Sequence, residues 1–483
     1  MIELPLSIYD SEKRKLVPFS PLDPEKVTLY TCGPTLYSYA HLGNFRTYLF
    51  EDLVRRVLQF WGWKVIHIMN LTDVDDKTIG KATAQNIALA EYIAPYRRAF
   101  FEDAAKLHIL PAHKTPAATE YIKEMIEVIE TLLTKEYAYR AEDGSVYFRI
   151  DRVANYGRLF CIPSSRLQKG MRISCDEYEK EEAADFVLWK GYNRARDGEI
   201  FWESPFGRGR PGWHLECSTM ALTLLGKTID LHMGGIDNLF PHHENEIAQS
   251  EAYTGTLFVR HWMHVQHLLV EGKKMAKSEG NFYLLRDLLK RGHSPFAIRY
   301  ALLQGHYRSP LNFTFEELGA AEKSIQRICD FLQRMREITE QSSHHALSAS
   351  PSLEEYHTGF LSALSQDFNL SSALSILFSL IHKSHSRADR GELSSQEASE
   401  ILQLWEKWNQ ILAFTPPSST QKALPSSLLS LVRERASCRK RGEWNRADQL
   451  REQLCQEGYL IEDNSQGCLV KSIEDPSFHQ LVK

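Results

Sequence analysis

Two adjacent histidines and two glutamates crowd into "FPHHENEIAQSEAY" (Phe240 to Tyr253): His242, His243, Glu244 and Glu246. Imidazole and carboxylate are both metal donors, so the cluster is a place to ask about an ion. Pro241 suits the first turn of a helix, and Ile247, Ala248 and Tyr253 can face a core. On such a helix His242 and Glu246, four residues apart, project from one face. The segment reads either as a solvated polar stripe or as half of a ligand set. Its own spacing does not choose between them.

Two other stretches carry chemistry of a different kind. "HLGN" (His41 to Asn44) lies where a strand gives way to a helix, whose first N–H groups and partial positive charge suit a phosphate. Gly43 would let a nucleotide approach the backbone there, and His41 could bond a phosphate in a transition state. "EGKKMAKSEGN" (Glu271 to Asn281) sets Lys274 and Lys277 three residues apart in a glycine-bounded loop. Lysines on a mobile loop can neutralise charge on a leaving pyrophosphate. A satisfied structural histidine and a solvated basic loop are the plainer alternatives. A fourth stretch, "RERASCRKRGEWNRADQLR" (Arg433 to Arg451), has seven basic and three acidic residues and is either a nucleic-acid face or an ordinary solvated helix.

The elements that must position these residues alternate. "KVTLYTCGPTLYSYA" (Lys26 to Ala40) begins as a strand, rich in β-branched and aromatic residues. In "NFRTYLFEDLVRRVLQFWG" the residues Phe45, Leu49, Leu53, Val57 and Trp61 form a helical stripe that ends at Gly62. "KVIHIMNLT" (Lys64 to Thr72) is a second buried strand, which completes a βαβ unit and implies a parallel sheet. Helical segments follow from Ala84 to Leu107 and from Ala117 to Glu136. "YAYRAEDGSVYFRI" is a hairpin turning at Asp143-Gly144, and residues Asn155 to Arg210 read as loop-rich. A second α/β half comes next: helix "HLECSTMALTLLG", strand "TIDLHMGG", helix "PHHENEIAQSEAYTG" and strand "LFVRHWMHVQ". Two α/β halves around an insertion predict a doubly wound, Rossmann-like nucleotide-binding domain. Beyond Ser294 the pattern is nearly all helical, with a loop at Glu340 to Ser352 and a Pro/Ser-rich linker at Thr415 to Ser427.

Composition narrows the class. The 483 residues are 43% hydrophobic and 25% charged, an ordinary globular balance with ample core, and suggest about three domains. There is no apolar leader and no run of about 18 apolar residues, so a cytosolic protein that stays off membranes is expected. Eight cysteines without a CxxC pair predict mostly free thiols, with room for a few ligands among them. A net charge of −5 excludes a general nucleic-acid coat but allows a local basic face.

Longer words resolve the alternatives. "YTCGPTLYSYAHLGNFRTYLFEDLVRR", "NLTDVDDK", "GRPGWHLECSTMAL", "FPHHENEIAQSE" and "MAKSEGNF" resemble, in order and spacing, the cysteinyl-tRNA synthetase family of class I aminoacyl-tRNA synthetases. The likeness runs from roughly Leu4 to Arg308 and weakens beyond. In it, "HLGN" stands for the HIGH signature and "KMAKS" for KMSKS. The resemblance implies one zinc ion held by Cys32, Cys217, His242 and Glu246, two soft thiolates with an imidazole and a carboxylate. It implies catalytic roles for His41, Asn44, Lys274 and Lys277, ATP binding by His41, Asp237 and Lys277, and an amino-acid pocket formed with Cys32, Thr72 and Trp213. His243 and Glu244 are left with supporting roles, and Asp73, Asp75 and Asp76 suit helix capping better than magnesium. Three departures from the family pattern stand out: Ala276 in "KMAKS", Met233 in "HMGG", and Gln266-His267 before the mobile loop.

The implied reaction is ligation of cysteine to its tRNA through a cysteinyl-adenylate, with magnesium accompanying ATP. Pocket shape alone separates small isosteric amino acids by only about 10²-fold, whereas translation needs roughly 10⁴–10⁵. Thiolate affinity for zinc can supply that gap, because a serine hydroxyl is a far poorer ligand. No separate editing domain is therefore expected. The implied domains are 1–112 and 205–270 for the two catalytic halves, 113–204 for a connective insertion and 271–320 for the KMSKS-type loop region. A tRNA-binding helical bundle follows at 321–414, then a small anticodon-binding domain at 425–483. A monomer is expected, with cysteine, ATP and the cysteine tRNA as its partners. Three alternatives fit less well. A paralogue joining cysteine to an amino sugar would not need the long C-terminal part. A zinc hydrolase built on "HHENE" leaves "KMAKS" unexplained. A non-catalytic tRNA-binding paralogue would not need His41, Lys277 and the ligand set together.

Overall fold

The computed structural model describes the chain except residues 1, 3, 162–166, 174–182, 276–279, 341–352, 417–423, 465–466, 473–478 and 483. It divides into two compact units. The first comprises Met1–Ala105, Ile109–Leu268 and Tyr307–Pro310, the second Lys106–His108, Leu269–His306 and Leu311–Lys483.

The first unit is organised by a four-stranded parallel sheet. In chain order its elements are β1 (Lys26–Thr31), α1 (Leu42–Phe60), β2 (Lys64–Met69), α2 (Asp76–Gln85), α3 (Trp213–Leu225), β3 (Ile229–Gly235), α4 (Glu244–Thr254) and β4 (Val259–Val265). The strand order is β4–β3–β1–β2, every neighbouring pair parallel, with Thr31 opposite both Met69 and Met233. The chain leaves β1 toward one edge and returns to the other side at β3. The crevice between the carboxyl ends of β1 and β3 is therefore a topological switch point, where doubly wound sheets bind their ligands. The stripe expected on α1 is the buried one: Phe45, Leu49, Leu53, Val57 and Trp61 are all at most 2% exposed. Gly62 then turns the chain at φ 103°.

The insertion is more sheet than loop, a correction to the sequence reading. The hairpin Ala138–Arg140/Val146–Phe148 forms as expected, with Gly144 at φ 82° in its turn. It extends through Ala183–Gly191 to Leu167–Ile173, and Gly209–Pro211 pairs with Ala183–Gly191. Residues Ala184 to Lys190 are buried on both faces, so the polar/apolar alternation that marks a strand is missing. The hairpin Ser7–Asp10/Lys15–Pro18 also escaped the sequence reading.

The second unit is mainly helical, and its helices include Pro295–Leu303, Phe315–Glu340, Leu353–Ser365, Leu370–Asp389 and Ser395–Leu412. Fully buried Arg299 donates to the carbonyls of Leu412 and Leu107. After helices Ser426–Lys440 and Trp444–Gln456 the chain closes in an antiparallel sheet of Tyr459–Asn464, Gly467–Ser472 and His479–Val482. These strands close the nearly all-helical run that begins beyond Ser294. Leu424, Val432, Leu454, Ile461, Cys468 and Val470 give this end a small core of its own. Among the described residues no helix is long and apolar enough to cross a membrane.

One buried group in the first unit works against the fold. Glu51 on α1 is fully enclosed, and its carboxyl oxygens meet no hydrogen-bond donor at normal geometry. Burial pushes its pKa well above the usual carboxylate range, which the nearby Thr31 hydroxyl offsets only in part. Such a group is stable as the neutral acid, so folding loses free energy as the pH rises above the unfolded value near ~4.3. Glu51→Gln should therefore stabilise the protein by about 1–3 kcal/mol at pH 8, and the gain should fade toward pH 4. Urea midpoints that coincide for parent and variant at pH 8 would show that Glu51 carries no such cost.

Candidate active site and metal centre

Cys32 follows the last residue of β1, Cys217 lies in the second turn of α3, and His242 and Glu246 flank the start of α4. All four are buried at the crevice, none more than 8% exposed. Their donor atoms lie within 4.8 Å of one another. The two sulfurs are 3.9 Å apart, His242 Nε2 is 3.3 Å from Cys217 Sγ, and it is 3.0 Å from Glu246 Oε1. Two sulfurs each ~2.3 Å from a tetrahedral zinc would stand about 3.8 Å apart. The side chains thus already stand at the separations such an ion needs, and the donor chemistry fits it. A second set, Cys32, His232, His243 and Glu246, overlaps the first within the same limit.

The electrostatics favour deprotonated sulfur at one of the two cysteines. Burial alone would push the Cys217 thiol up, but the hydrogen bond from Cys32 and the charge of His242 bring it down to about 6. Burial and the neighbouring Cys217 hold the Cys32 thiol well above its ordinary range. Against its own burial, Glu246 is held down at about 2 by the charges and hydrogen bonds of His232 and His242. His242, also opposed by burial, is raised to about 10 by Cys217 and Glu246. A proton and a metal compete for the same Nε2 lone pair, so metal uptake would release a proton.

The residues around this set were mostly invisible in the sequence. His243 Nε2 is 3.3 Å from Cys32 Sγ, its Nδ1 is 2.8 Å from His264 Nε2, and His264 Nδ1 is 2.8 Å from Ser11 Oγ. Burial keeps His243 and His214 well below the ordinary histidine pKa and takes His264 to about 3. His214 Nδ1 approaches His242 Nδ1 at 3.0 Å, and His232 Nε2 approaches Glu246 at 3.1 Å. No spacing rule marks His214 in "GWHLECS", His232 in "TIDLHMGG" or His264 in "RHWMHVQH" as neighbours of the donors. Gly234 is required by this crowding, since a Cβ there would come within 2.9 Å of the His243 ring. Glu244 turns away from the donors and accepts the backbone N–H groups of Gly157, Leu159 and Phe160.

The other expected residues fall into separate groups. Trp213 stacks its ring on His242 with centroids 4.3 Å apart. Thr72 is buried and exchanges backbone hydrogen bonds with Pro34 and Leu36, just past Cys32. His41 is the N-cap of α1: its Nδ1 accepts from the Asn44 N–H, while Asn44 Oδ1 accepts from the His41 N–H. An accepting Nδ1 places the ring proton on Nε2, which makes that nitrogen a donor. A Cβ at Gly43 would sit 3.0 Å from this ring, so Gly43 makes room for His41 itself. Asp237 is more than half exposed, with His267 Nδ1 3.3 Å away. Asp75 caps α2 with Thr78 as expected, but Asp73 binds Thr119 and Asp76 pairs with Lys190 and Arg210. Met233 is fully buried in β3. In the second unit Lys274 is exposed on a short strand, and its carbonyl accepts from Asn281 Nδ2. Lys277 and Ala276 lie outside the described residues.

With this geometry in hand the comparisons are decisive. Residues 18–323 match the family model described as "tRNA synthetases class I (C) catalytic domain", and residues 421–468 match the cysteinyl-tRNA ligase anticodon binding domain. A methionyl-tRNA synthetase of Mycobacterium tuberculosis bound to methionyl-adenylate has the same fold, with a TM-score of 0.61 at 13% identity over 80% of this chain and 92% of that one. The fold is that of a class I aminoacyl-tRNA synthetase. Within that class the sequence is specific. A cysteine–tRNA ligase of Protochlamydia amoebophila is 48% identical over 97% of this chain and 98% of its own length. That of Chlamydia caviae is 50% identical over 93% of this chain and 94% of its own. The chain belongs to the cysteinyl-tRNA synthetase family.

The two overlapping donor sets make different predictions. Losing an outer partner of a metal ligand costs roughly 10- to 100-fold in metal affinity, and losing a ligand more. Zinc titrated against a chelator should be strongly weakened by Cys217→Ser and His242→Ala, and only mildly by His243→Ala. The reverse ranking of the two histidine variants would move the ion to Cys32, His232, His243 and Glu246.

Proposed function

We infer that this chain is a cysteine–tRNA ligase, which activates cysteine with ATP and passes the acyl group to the 3′ end of the cysteine tRNA. The observation that carries the reading is the meeting of Cys32, Cys217, His242 and Glu246 at the switch point of a class I catalytic sheet. A zinc ion held by those four would supply a Lewis acid that prefers a thiolate to a hydroxyl. The chain's own residues do the rest. Trp213 fixes the plane of the His242 ring, and Thr72 ties the segment after Cys32 to the end of β2. The cysteine carboxylate attacks the α-phosphorus of magnesium ATP and pyrophosphate leaves. His41 donates from Nε2 to a phosphate oxygen at the start of α1, where unpaired N–H groups add their partial charge. Asn44 keeps His41 in the donating tautomer. Lys274 and Lys277 neutralise the departing pyrophosphate, and Asp237 holds the ATP ribose.

Within the two units we assign 1–112 and 205–270 to the catalytic halves, 113–204 to the connective insertion and 271–320 to the loop region that carries the lysines. Residues 321–414 and 425–483 bind tRNA. The C-terminal part supports this assignment through Trp444, 59% exposed with the Arg439 guanidinium 5.7 Å above its ring. Arg439 is also held by Asp463 and Arg441 by Glu443, so Lys440 carries more of the phosphate attraction than the local charge count suggests. The enzyme works as a cytoplasmic monomer, which sedimentation at working concentration checks.

Pyrophosphate exchange measured with each of the twenty amino acids tests the reading, and a second amino acid supporting exchange as well as cysteine would overturn it. Lys277→Ala should slow adenylate formation by about 10²-fold or more while cysteine affinity barely moves, because the interaction belongs to the transition state. Removing residues 425–483 should leave exchange nearly intact and weaken tRNA charging. For every phosphate no longer neutralised, the salt dependence of tRNA binding should flatten by about 0.7–0.9 log units per log of salt. Equal slopes for full and shortened chains would make the tail purely structural.

A further inference from the structure

Between the metal set and the capping histidine runs the segment Thr35 to Ala40, and it carries an aromatic and cationic patch. Its start is pinned by hydrogen bonds between Leu36 N and Thr72 O, 2.9 Å, and between Thr72 N and Pro34 O, 3.2 Å. Tyr37 is held at its carbonyl by the Tyr92 hydroxyl at 2.8 Å and by Lys81 Nζ at 3.2 Å. Lys77 and Lys81 Nζ sit 5.0 Å and 4.7 Å from the centroid of the Tyr37 ring. Tyr39, 40% exposed, meets the edge of Tyr96 at 5.0 Å, and Tyr96 packs at 5.4 Å on Tyr92. Exposed Arg97 follows Tyr96 directly. The two acids at the start of α2 are engaged elsewhere: Asp75 caps its helix and Asp76 pairs with Lys190 and Arg210. A chain with a net charge of −5 thus keeps cations beside a cluster of tyrosines whose exposed member, Tyr39, lies two residues before His41.

We propose that this patch, centred on Tyr39 with Lys77 and Lys81, receives the unpaired nucleotides at the 3′ end of the tRNA. The proposal rests on the reading above and names the part of the first unit that meets this end of the substrate. Transfer requires a terminal ribose hydroxyl to reach an adenylate whose phosphate lies at the His41 cap. The nucleotides just before that ribose have no pairing partners, so their bases need a surface to stack on and their phosphates need cations. Rigid tyrosines, sequence-tolerant in what they stack, with lysines beside them, are the usual protein answer to a single strand. Tyr39 stands only two residues before His41 and is braced by Tyr96 in place of a flexible neighbour. The lysines keep the patch attractive to phosphate in a protein whose net charge is negative.

The test compares Tyr39→Ala, Tyr39→Phe and the Lys77→Ala/Lys81→Ala pair in the full chain. Each is measured with intact cysteine tRNA and with the same tRNA trimmed of its unpaired 3′ nucleotides. Loss of one stacked base costs roughly 5- to 100-fold in binding. Tyr39→Ala should lower the rate of acyl transfer, or the affinity for intact tRNA, by such a factor, and should bind trimmed tRNA as the parent does. Tyr39→Phe should retain most of the parent behaviour, because the ring and not the hydroxyl is used. The lysine pair should flatten the salt dependence of binding intact tRNA, by about 0.7 log units for each phosphate left without its cation. Pyrophosphate exchange should persist in all three. Parental transfer by Tyr39→Ala would overturn the proposal. So would a parallel fall in exchange, which would assign the patch to ATP or to folding. A failure of the ligase reading itself would show differently, as a parent enzyme without cysteine-dependent exchange.

Discussion

Everything in the first unit follows from the parallel pairing of β1 with β3. Of the four donors, His242 and Glu246 are four residues apart, but Cys32 and Cys217 have no local reason to join them. They meet because β1 ends at Thr31 beside Met233 of β3, so that Cys32 emerges next to the residues that follow Gly235. A register slip of one residue would turn Cys32 to the other face of the sheet. Register is protected by burial: Val27, Leu29 and Tyr30 on β1 and Ile229, Leu231 and Met233 on β3 are all at most 1% exposed. The apolar core thus does the positioning that a compact motif would do by sequence spacing.

The cost of that arrangement is electrostatic, and the histidines show how it is met. A thiolate, a carboxylate and an imidazolium enclosed together cost several kcal/mol each in lost hydration. His242 offsets much of this by pairing with both Glu246 and Cys217. Further charge nearby would undo the balance, and burial keeps His214, His243 and His264 neutral. Neutral imidazoles offer the cluster one donor and one acceptor each without adding charge. That explains why a ring of histidines surrounds the set where lysine or arginine would be ruinous. Glu51 is the contrasting case, a carboxyl buried in the same unit without a compensating cation and stable only as the acid.

How much of this was legible in the sequence depended on locality. The βαβ unit, the second α/β half and the stripe on α1 were readable because strand and helix periods are written in consecutive residues. The four donors were not derivable that way, since Cys32 and Cys217 are 185 positions apart; only the likeness of long words to a family joined them. His214, His232 and His264 remained hidden because a histidine on a buried strand or helix looks the same whether it packs or positions a ligand. Of three clustered aspartates, Asp75 announced its cap through Thr78 three residues on, whereas the partners of Asp73 and Asp76 are non-local. The strand Ala183–Gly191 was missed because both faces are covered, and the C-terminal strands because their words are short and polar.

The same packing bears on selectivity. The core of the insertion is continuous with that of the catalytic sheet: Met125, Phe148, Phe186 and Trp189 belong to one buried cluster with Cys217, Phe240 and Trp262. Asp76 ties the start of α2 to Lys190 and Arg210, both at least nine-tenths buried, and Arg210 Nη1 donates to the Pro211 carbonyl two residues before Trp213. An insertion locked this way shares its core with the wall behind α3. On the ligase reading proposed above, discrimination would be completed where the amino acid first binds. Shape offers only about 10²-fold between small isosteric amino acids, so on that reading the remainder falls to the thiolate preference of a zinc ion that Cys32, Cys217, His242 and Glu246 would hold.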